Sequence, residues 1–344
     1  MTEVQAAKDL VRAFWYRGPT LPDLSLLHPG VSFHGPAPIG HLTGAADLER
    51  HLYQPLTTLF SSSLFPKYSG EELDRRSKEG QRPSIMRDAY MFLGGTWQGQ
   101  TWVATTGQIT GPARGRVWRL PDLGGQVANL RFGEFYRIAE GEIVEIRCLY
   151  DILGLLAQCG HRLLPPFEGR PEIPQGPAKK NGLRYDPSPE HETQPTLDLV
   201  EAMLGGCNRL NGSDLASMGM AAFWHGDMRW CGPWGVGETR GFQEFQDHAQ
   251  GPSVRSFPDR RGGFHVARFA DGPAAAFTGW PSLRGTFTGA PFRGIPPSGG
   301  PIGQNIMDFY IRRGDKLAEN WVLIDLIDFA AQCGVDLLAQ VADV

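Results

Sequence analysis

The chain of 344 residues has only five cysteines, at 148, 159, 207, 231 and 333, and no two stand in the C-x-x-C spacing of a zinc or redox pair. Their odd number and scatter point to reduced thiols in a cytoplasmic protein. Charge of either sign is in short supply. Thirty-three Lys and Arg against 37 Asp and Glu leave a formal charge of -4, so a nucleic acid would lack its main source of affinity. No apolar run is long enough for a bilayer-spanning helix. The opening MTEVQAAKDLVRAFW sets charges among its apolar residues, which reads as an amphipathic helix and not a signal peptide. G-x-S-x-G, H-E-x-x-H and phosphate loops are missing, and Gly235-Val236-Gly237 lacks the spacing of a dinucleotide loop. No cofactor and no metal are therefore expected. With 41% apolar and 20% charged residues, the composition is that of an ordinary globular protein with room for two domains.

What is present is a duplication. FYRIAEGEIVEIRCLYDILGLLAQCG, from Phe135 to Gly160, recurs without a gap as FYIRRGDKLAENWVLIDLIDFAAQCG, from Phe309 to Gly334. An echo of this length marks a repeated structural unit. Each copy reads as strand, polar turn, strand, then an Asp that opens a short apolar helix closed by Gly. Asp151 and Asp325 stand where a side chain caps the first free amides of that helix, and Gly160 and Gly334 where the chain leaves it left-handed. Asp9-Leu10-Val11 is echoed by Asp198-Leu199-Val200, so both units open with a helix. A short helix is also expected over 21–27 and a strand over 116–119. Residues 67–90, polar and charged, read as an insertion or lid in the first unit. Repeated prolines make 166–194 an extended linker, which divides the chain into domains 1–165 and 195–344.

Strand, turn, strand, Asp, helix, Gln-x-Gly resembles the closing segment of the SnoaL-like polyketide cyclases and the related ester cyclases of the nuclear transport factor 2-like superfamily. In the second copy the resemblance extends upstream through Gly232-Pro233, Gly241-Phe242, Ser256-Phe257-Pro258, Gly285-Thr286-Phe287-Thr288-Gly289 and Gly294-Ile295-Pro296-Pro297-Ser298-Gly299. It implies an α+β fold: two tandem cystatin-like cones, each a curved antiparallel sheet wrapped on helices. Dimers are common in that superfamily, so the tandem chain is expected as an intramolecular pseudo-dimer, with a further homodimer left open. The family's aldol cyclases keep an aspartate base on the last strand and a histidine on the strand before it. Carried over through the ungapped repeat, the aspartate position holds Val322 and Cys148, and the histidine position Asp308 and Glu134.

Strand alternation puts Asp308, Tyr310, Asn320 and Val322 on one face of the last two strands, and Glu319, Trp321 and Leu323 on the other, the expected interface between domains. A carboxylate in an apolar pocket has its charged form disfavoured, which suits a general acid or base near neutrality. Asp308, Glu134 and His225 are thus the catalytic candidates. Candidate substrate contacts are Tyr310, Asn320, Val322, Trp280, Trp230, Trp234, His265, Arg284 and His34. A structural ion pair with an arginine such as Arg284 or Arg268 competes with the catalytic reading of either acid, and a bond to backbone competes with that of His225. Two functions stay open. One is cofactor-free proton-transfer chemistry on an apolar, carbonyl-bearing small molecule: cyclisation, isomerisation, dehydration or ring opening. The other is a small-molecule binding or interaction protein that kept the cone and lost the chemistry. They divide on whether the inward carboxylate is unpaired in a cavity.

Overall fold

The computed structural model describes residues 2–16, 18, 20–60, 85–166, 176–186 and 188–341. Most of the insertion and part of the linker expected from the sequence lie outside these. The first repeat opens with α1 (Glu3–Phe14), where Thr2 Oγ1 accepts from Gln5 N at 3.2 Å as the N-cap and Ala7, Val11 and Phe14 form the buried face. There follow β1 (Leu27–His34), β2 (His41–Thr43), α2 (Ala45–Leu48), a π turn and α3 (Gln54–Leu59). Four long strands, β3 (Met86–Trp97), β4 (Gln100–Pro112), β5 (Val127–Ala139) and β6 (Glu142–Tyr150), lead into α4 (Ile152–Gln158).

The second repeat writes the same order. It runs α5 (Glu190–Cys207), β7 (Trp224–Cys231), β8 (Glu238–Arg240), α6 (Phe242–Phe245), α7 (Gly251–Ser256), β9 (Arg261–Gly262), β10 (Ala267–Asp271), β11 (Ala274–Thr286), β12 (Pro301–Arg313), β13 (Lys316–Ile324) and α8 (Leu326–Gln332). The sheets are ordered β2-β1-β6-β5-β4-β3 and β8-β7-β13-β12-β11-β10, with β9 beside β11. The two are the same topology, and the class is α+β.

Several expectations need correction. The sheets are mixed, not wholly antiparallel, because β1 pairs parallel with β6 and β7 with β13. Each of these first strands enters the sheet beside the last, and the chain reaches that position by a long crossover, not a hairpin. Residues 21–27 give only a 3-10 turn, Leu24–Leu26, before β1 begins. Arg116–Arg119 is irregular, with Trp118 and Arg119 at positive φ, which no strand accepts. The last residues of the expected linker, 190–194, are already helical, and Pro195 sits within α5. As the sixth residue of the helix, Pro195 has no amide to donate to His191 O, so α5 runs through it one i to i-4 hydrogen bond short. Described linker residues cover the free edge of β3: Phe92 N donates to Gly182 O at 2.9 Å and Arg184 N to Phe92 O at 2.7 Å.

Each sheet turns one face to its helices and the other to its twin. Met91, Trp102, Ala104, Phe135 and Leu149 of the first sheet share a buried cluster with Phe269, Ala276, Met307, Phe309, Trp321 and Leu323 of the second. Phe135 is central, with ring centroids 5.6 Å from Phe309 and 6.0 Å from Phe269. The sheets approach closely at Gly133, where a Cβ would lie 3.0 Å from Leu323 Cδ1 and 3.1 Å from Met307 Sδ and would oblige these side chains to shift by a few tenths of an ångström. A buried ion pair, Lys8 to Asp271 at 2.5 Å, also crosses the interface. The two helix-capping aspartates do so as well. Asp151 accepts from Gly154 N at 2.9 Å and, across the interface, from Trp234 N at 2.9 Å. Asp325 accepts from Asp328 N at 3.0 Å and from Ala37 N at 2.9 Å. Among the described residues no helix is long and apolar enough to cross a membrane.

Candidate functional site

Within the second repeat, α5, α6 and α7 stand off the sheet and leave a cavity of about 190 Å³. The alternation of β12 and β13 decides what faces it: Ile306, Asp308, Tyr310, Asn320, Val322 and Ile324 line the cavity, while Met307, Phe309, Trp321 and Leu323 enter the inter-sheet core. Asp308 pairs across β11 with Phe277 and across β13 with Val322. Met203, Trp224, Trp230, Phe245 and Phe277 complete a largely apolar wall.

Asp308 is 8% exposed. Its Oδ1 accepts from Tyr310 Oη at 3.1 Å and from Asn320 Nδ2 at 3.2 Å. Asn320 Nδ2 is itself held by Phe309 O at 3.1 Å. Both hydrogen bonds end on Oδ1, so Oδ2 has no partner among the described residues. Burial pushes the carboxyl up to about 7, against the lowering effect of Asn320 and Tyr310. No cation pairs with it among the described residues. The group therefore exchanges its proton near neutrality with one oxygen free.

Of the other residues expected at the site, Trp230, His265, Tyr310, Asn320 and Val322 line this cavity. His265 stacks on Phe277 with centroids 4.0 Å apart. Burial, with Arg268 nearby, drives it down to about 3, so it is neutral. His225 does not line the cavity. It lies at the start of β7, bonded through Nε2 to Arg313 O at 2.6 Å, which withdraws it as a catalyst beside Asp308. Trp234 is also outside, its amide bound to Asp151. Arg284 is exposed over the Phe264 ring, 4.6 Å from the centroid, and Arg268 pairs with Glu201 at 3.3 Å. Trp280 and His34 belong to a different cleft, between the repeats. Their strands bring them to the inter-sheet seam, which sequence parity within one repeat does not reveal.

Glu134 occupies the place of Asp308 in the first repeat and lies opposite Cys148, as Asp308 lies opposite Val322. Its surroundings differ. Glu134 Oε2 accepts from Arg87 and from Tyr136 Oη, and Trp15 Nε1 donates to Tyr136 Oη at 2.7 Å. The Arg87 guanidinium is sandwiched 3.7 Å from both Trp15 and Phe132. The acid is thus closed in an ion pair with an arginine at the start of β3, not with Arg268 or Arg284.

Sequence reasoning missed the polar residues of the cavity: Arg260, Gln304, Gln250, Ser282 and Asn208. Arg260 Nη1 donates to Ser253 Oγ at 2.7 Å, and no carboxylate pairs with it among the described residues. Its position two residues after the Ser256-Phe257-Pro258 element was the available signal. Among the described residues no three His, Cys, Asp or Glu side chains gather as a metal site would require.

Residues 209–333 match the sequence profile of the SnoaL-like polyketide cyclase family. Among solved structures, IdmH of Streptomyces antibioticus, a proposed polyketide cyclase, is 22% identical over 41% of this chain and 99% of its own, with a TM-score of 0.34. An NTF2-like protein from Anabaena variabilis is 15% identical over 38% of this chain and 89% of its own, at a TM-score of 0.30. TerC, crystallised with polyporic acid, is 13% identical over 41% and 99%, at 0.32. Each of these three aligns with less than half of this chain. No curated protein matches the chain.

Proposed function

We propose that the SnoaL-like polyketide cyclase domain in the C-terminal half of the chain performs cofactor-free proton transfer on an apolar, carbonyl-bearing small molecule, with Asp308 as the base. The observation that carries this reading is Asp308 itself: buried in an apolar cavity, without a cationic partner, titrating near 7, and held by Tyr310 and Asn320 through one oxygen only. In the proposed step a C–H proton beside the substrate carbonyl passes to Asp308 Oδ2. The electron pair moves to the carbonyl oxygen, and the enolate so formed takes hydrogen bonds from cavity donors, among them Arg260 and Gln304. Return of the proton to another carbon, or attack of the enolate on a second carbonyl, gives isomerisation or cyclisation. Val322 has no proton acceptor, so the family's aspartate base at that position has no counterpart here and the burden falls one strand away. Tyr310 and Asn320 position the carboxylate, and Trp230 and Phe277 hold the ring system of the substrate.

The test is deuterium exchange at the carbon beside the carbonyl of small aromatic ketones, followed by NMR. Wild type should exchange them with saturation and Asp308→Asn should not. Saturable binding with no enhanced exchange in wild type would instead support the binding-protein reading.

A further inference from the structure

The duplication allows each junction between the repeats to be read against its twin. At one junction Arg131 of β5 crosses the interface: Nη1 donates to Gly232 O at 2.5 Å, Nη2 to Cys231 O at 3.4 Å, and Nη1 lies 3.8 Å from Asp151 Oδ2. The equivalent backbone positions at the other junction are fixed by identical hydrogen bonds. Asp151 N donates to Arg131 O at 3.0 Å as Asp325 N does to Asn305 O at 3.1 Å, and Gly232 N to Gly237 O at 3.0 Å as Gly35 N does to Gly40 O at 2.9 Å. The counterparts of Arg131, Asp151, Gly232 and Cys231 are therefore Asn305, Asp325, Gly35 and His34. All four line a cleft of about 260 Å³, together with Trp280 and Asp328.

We propose that this cleft binds a small organic cation with a planar guanidinium head, in the place that Arg131 fills at the twin junction. Replacement of Arg by Asn305 shortens the side chain and removes the cation, but it leaves the acceptors. Asp325 keeps the geometry of Asp151, Asp328 adds a second carboxylate, and Trp280 lines the same cleft as an aromatic wall. The cleft is buried at its acidic end, with Asp325 5% exposed and raised by that burial to about 7, so above that pH its carboxylate attracts a cation through little water. The other charges nearby do not cancel this. Burial holds His34 down at about 4 and so uncharged. Arg147, 5.8 Å from the Trp280 ring centroid, is tied to Glu145 at 2.7 Å. His41 completes the rim.

Methylguanidinium, with neutral methylurea of the same shape as control, tests this by calorimetric titration of the full chain. Methylguanidinium should bind with saturation, and methylurea about tenfold or more weakly, the equivalent of one charge-assisted hydrogen bond. Asn305→Arg should abolish the binding by supplying the guanidinium from within. Asp328→Asn, which leaves the helix cap intact, should weaken it several-fold and guards against a misfolded Asn305→Arg. Equal binding of the two probes, no binding by wild type, or binding indifferent to both substitutions would overturn the proposal.

Discussion

Asp308 illustrates how a single residue acquires its chemistry from its place. An aspartate in water titrates near 3.8; burial raises this one to about 7. The folded protein thus holds a proton that the unfolded chain releases. Its stabilising contribution is full below the unfolded value, falls as pH rises through the window from about 4 to about 7, and is gone above it. Asp308→Asn removes this loss, so relative to wild type it should gain on the order of 2–4 kcal/mol between pH 4 and pH 8. Thermal melts of both proteins across that range check it. Asp325, also raised to about 7, changes both proteins alike and cancels in the difference. If Asp308 is the base, the same substitution should lower turnover by about 10²- to 10⁴-fold, and wild-type kcat should rise with pH through about 7.

At the scale of elements, the repeated Ala-Gln-Cys-Gly is a clamp between the closing helix and the start of the second-last strand of each repeat. Gln158 donates from Nε2 to Asn129 O at 2.8 Å and accepts at Oε1 from Asn129 N at 2.9 Å. Gln332 makes the same pair with Gly303, at 2.8 and 2.9 Å. Gly160 and Gly334, at φ of 92° and 78°, then let the chain leave the helix left-handed. Because Gln158 is half-buried and Gln332 exposed, truncation should not cost the same. Gln158→Ala should lose about 1–3 kcal/mol, the price of stranded backbone groups, and Gln332→Ala under about 1 kcal/mol. Urea denaturation of the two variants measures the difference; equal losses would show that the clamp matters only through its helix.

On the scale of the whole molecule, the apolar seam between sheets is shared by both repeats, so neither sheet has a solvent face of its own. Phe309→Ala, in the middle of that seam, should cost about 3–5 kcal/mol and shift one cooperative unfolding transition. Differential scanning calorimetry that resolved two independent transitions, only one of them moved, would show that the repeats unfold separately. The crossed helix caps, Asp151 to Trp234 and Asp325 to Ala37, fix the relation of the two units at both ends of the seam.

The sequence alone determined the duplication, the α+β plan, the helix caps and the inward face of β12 and β13. All of these rest on local rules of periodicity and capping that operate within a few residues. It also placed Asp308, Tyr310, Asn320 and Val322 on one face, because alternation along a strand does not depend on what lies opposite. Only the tertiary structure decided which carboxylate is free. Glu134 and Asp308 occupy matching positions, yet Arg87 reaches one from 47 residues away, and no cation reaches the other among the described residues. It likewise moved Trp280 and His34 to the seam and His225 to the backbone of Arg313. Ion pairing and cavity shape depend on contacts between distant segments, whose distances no pattern along the chain encodes.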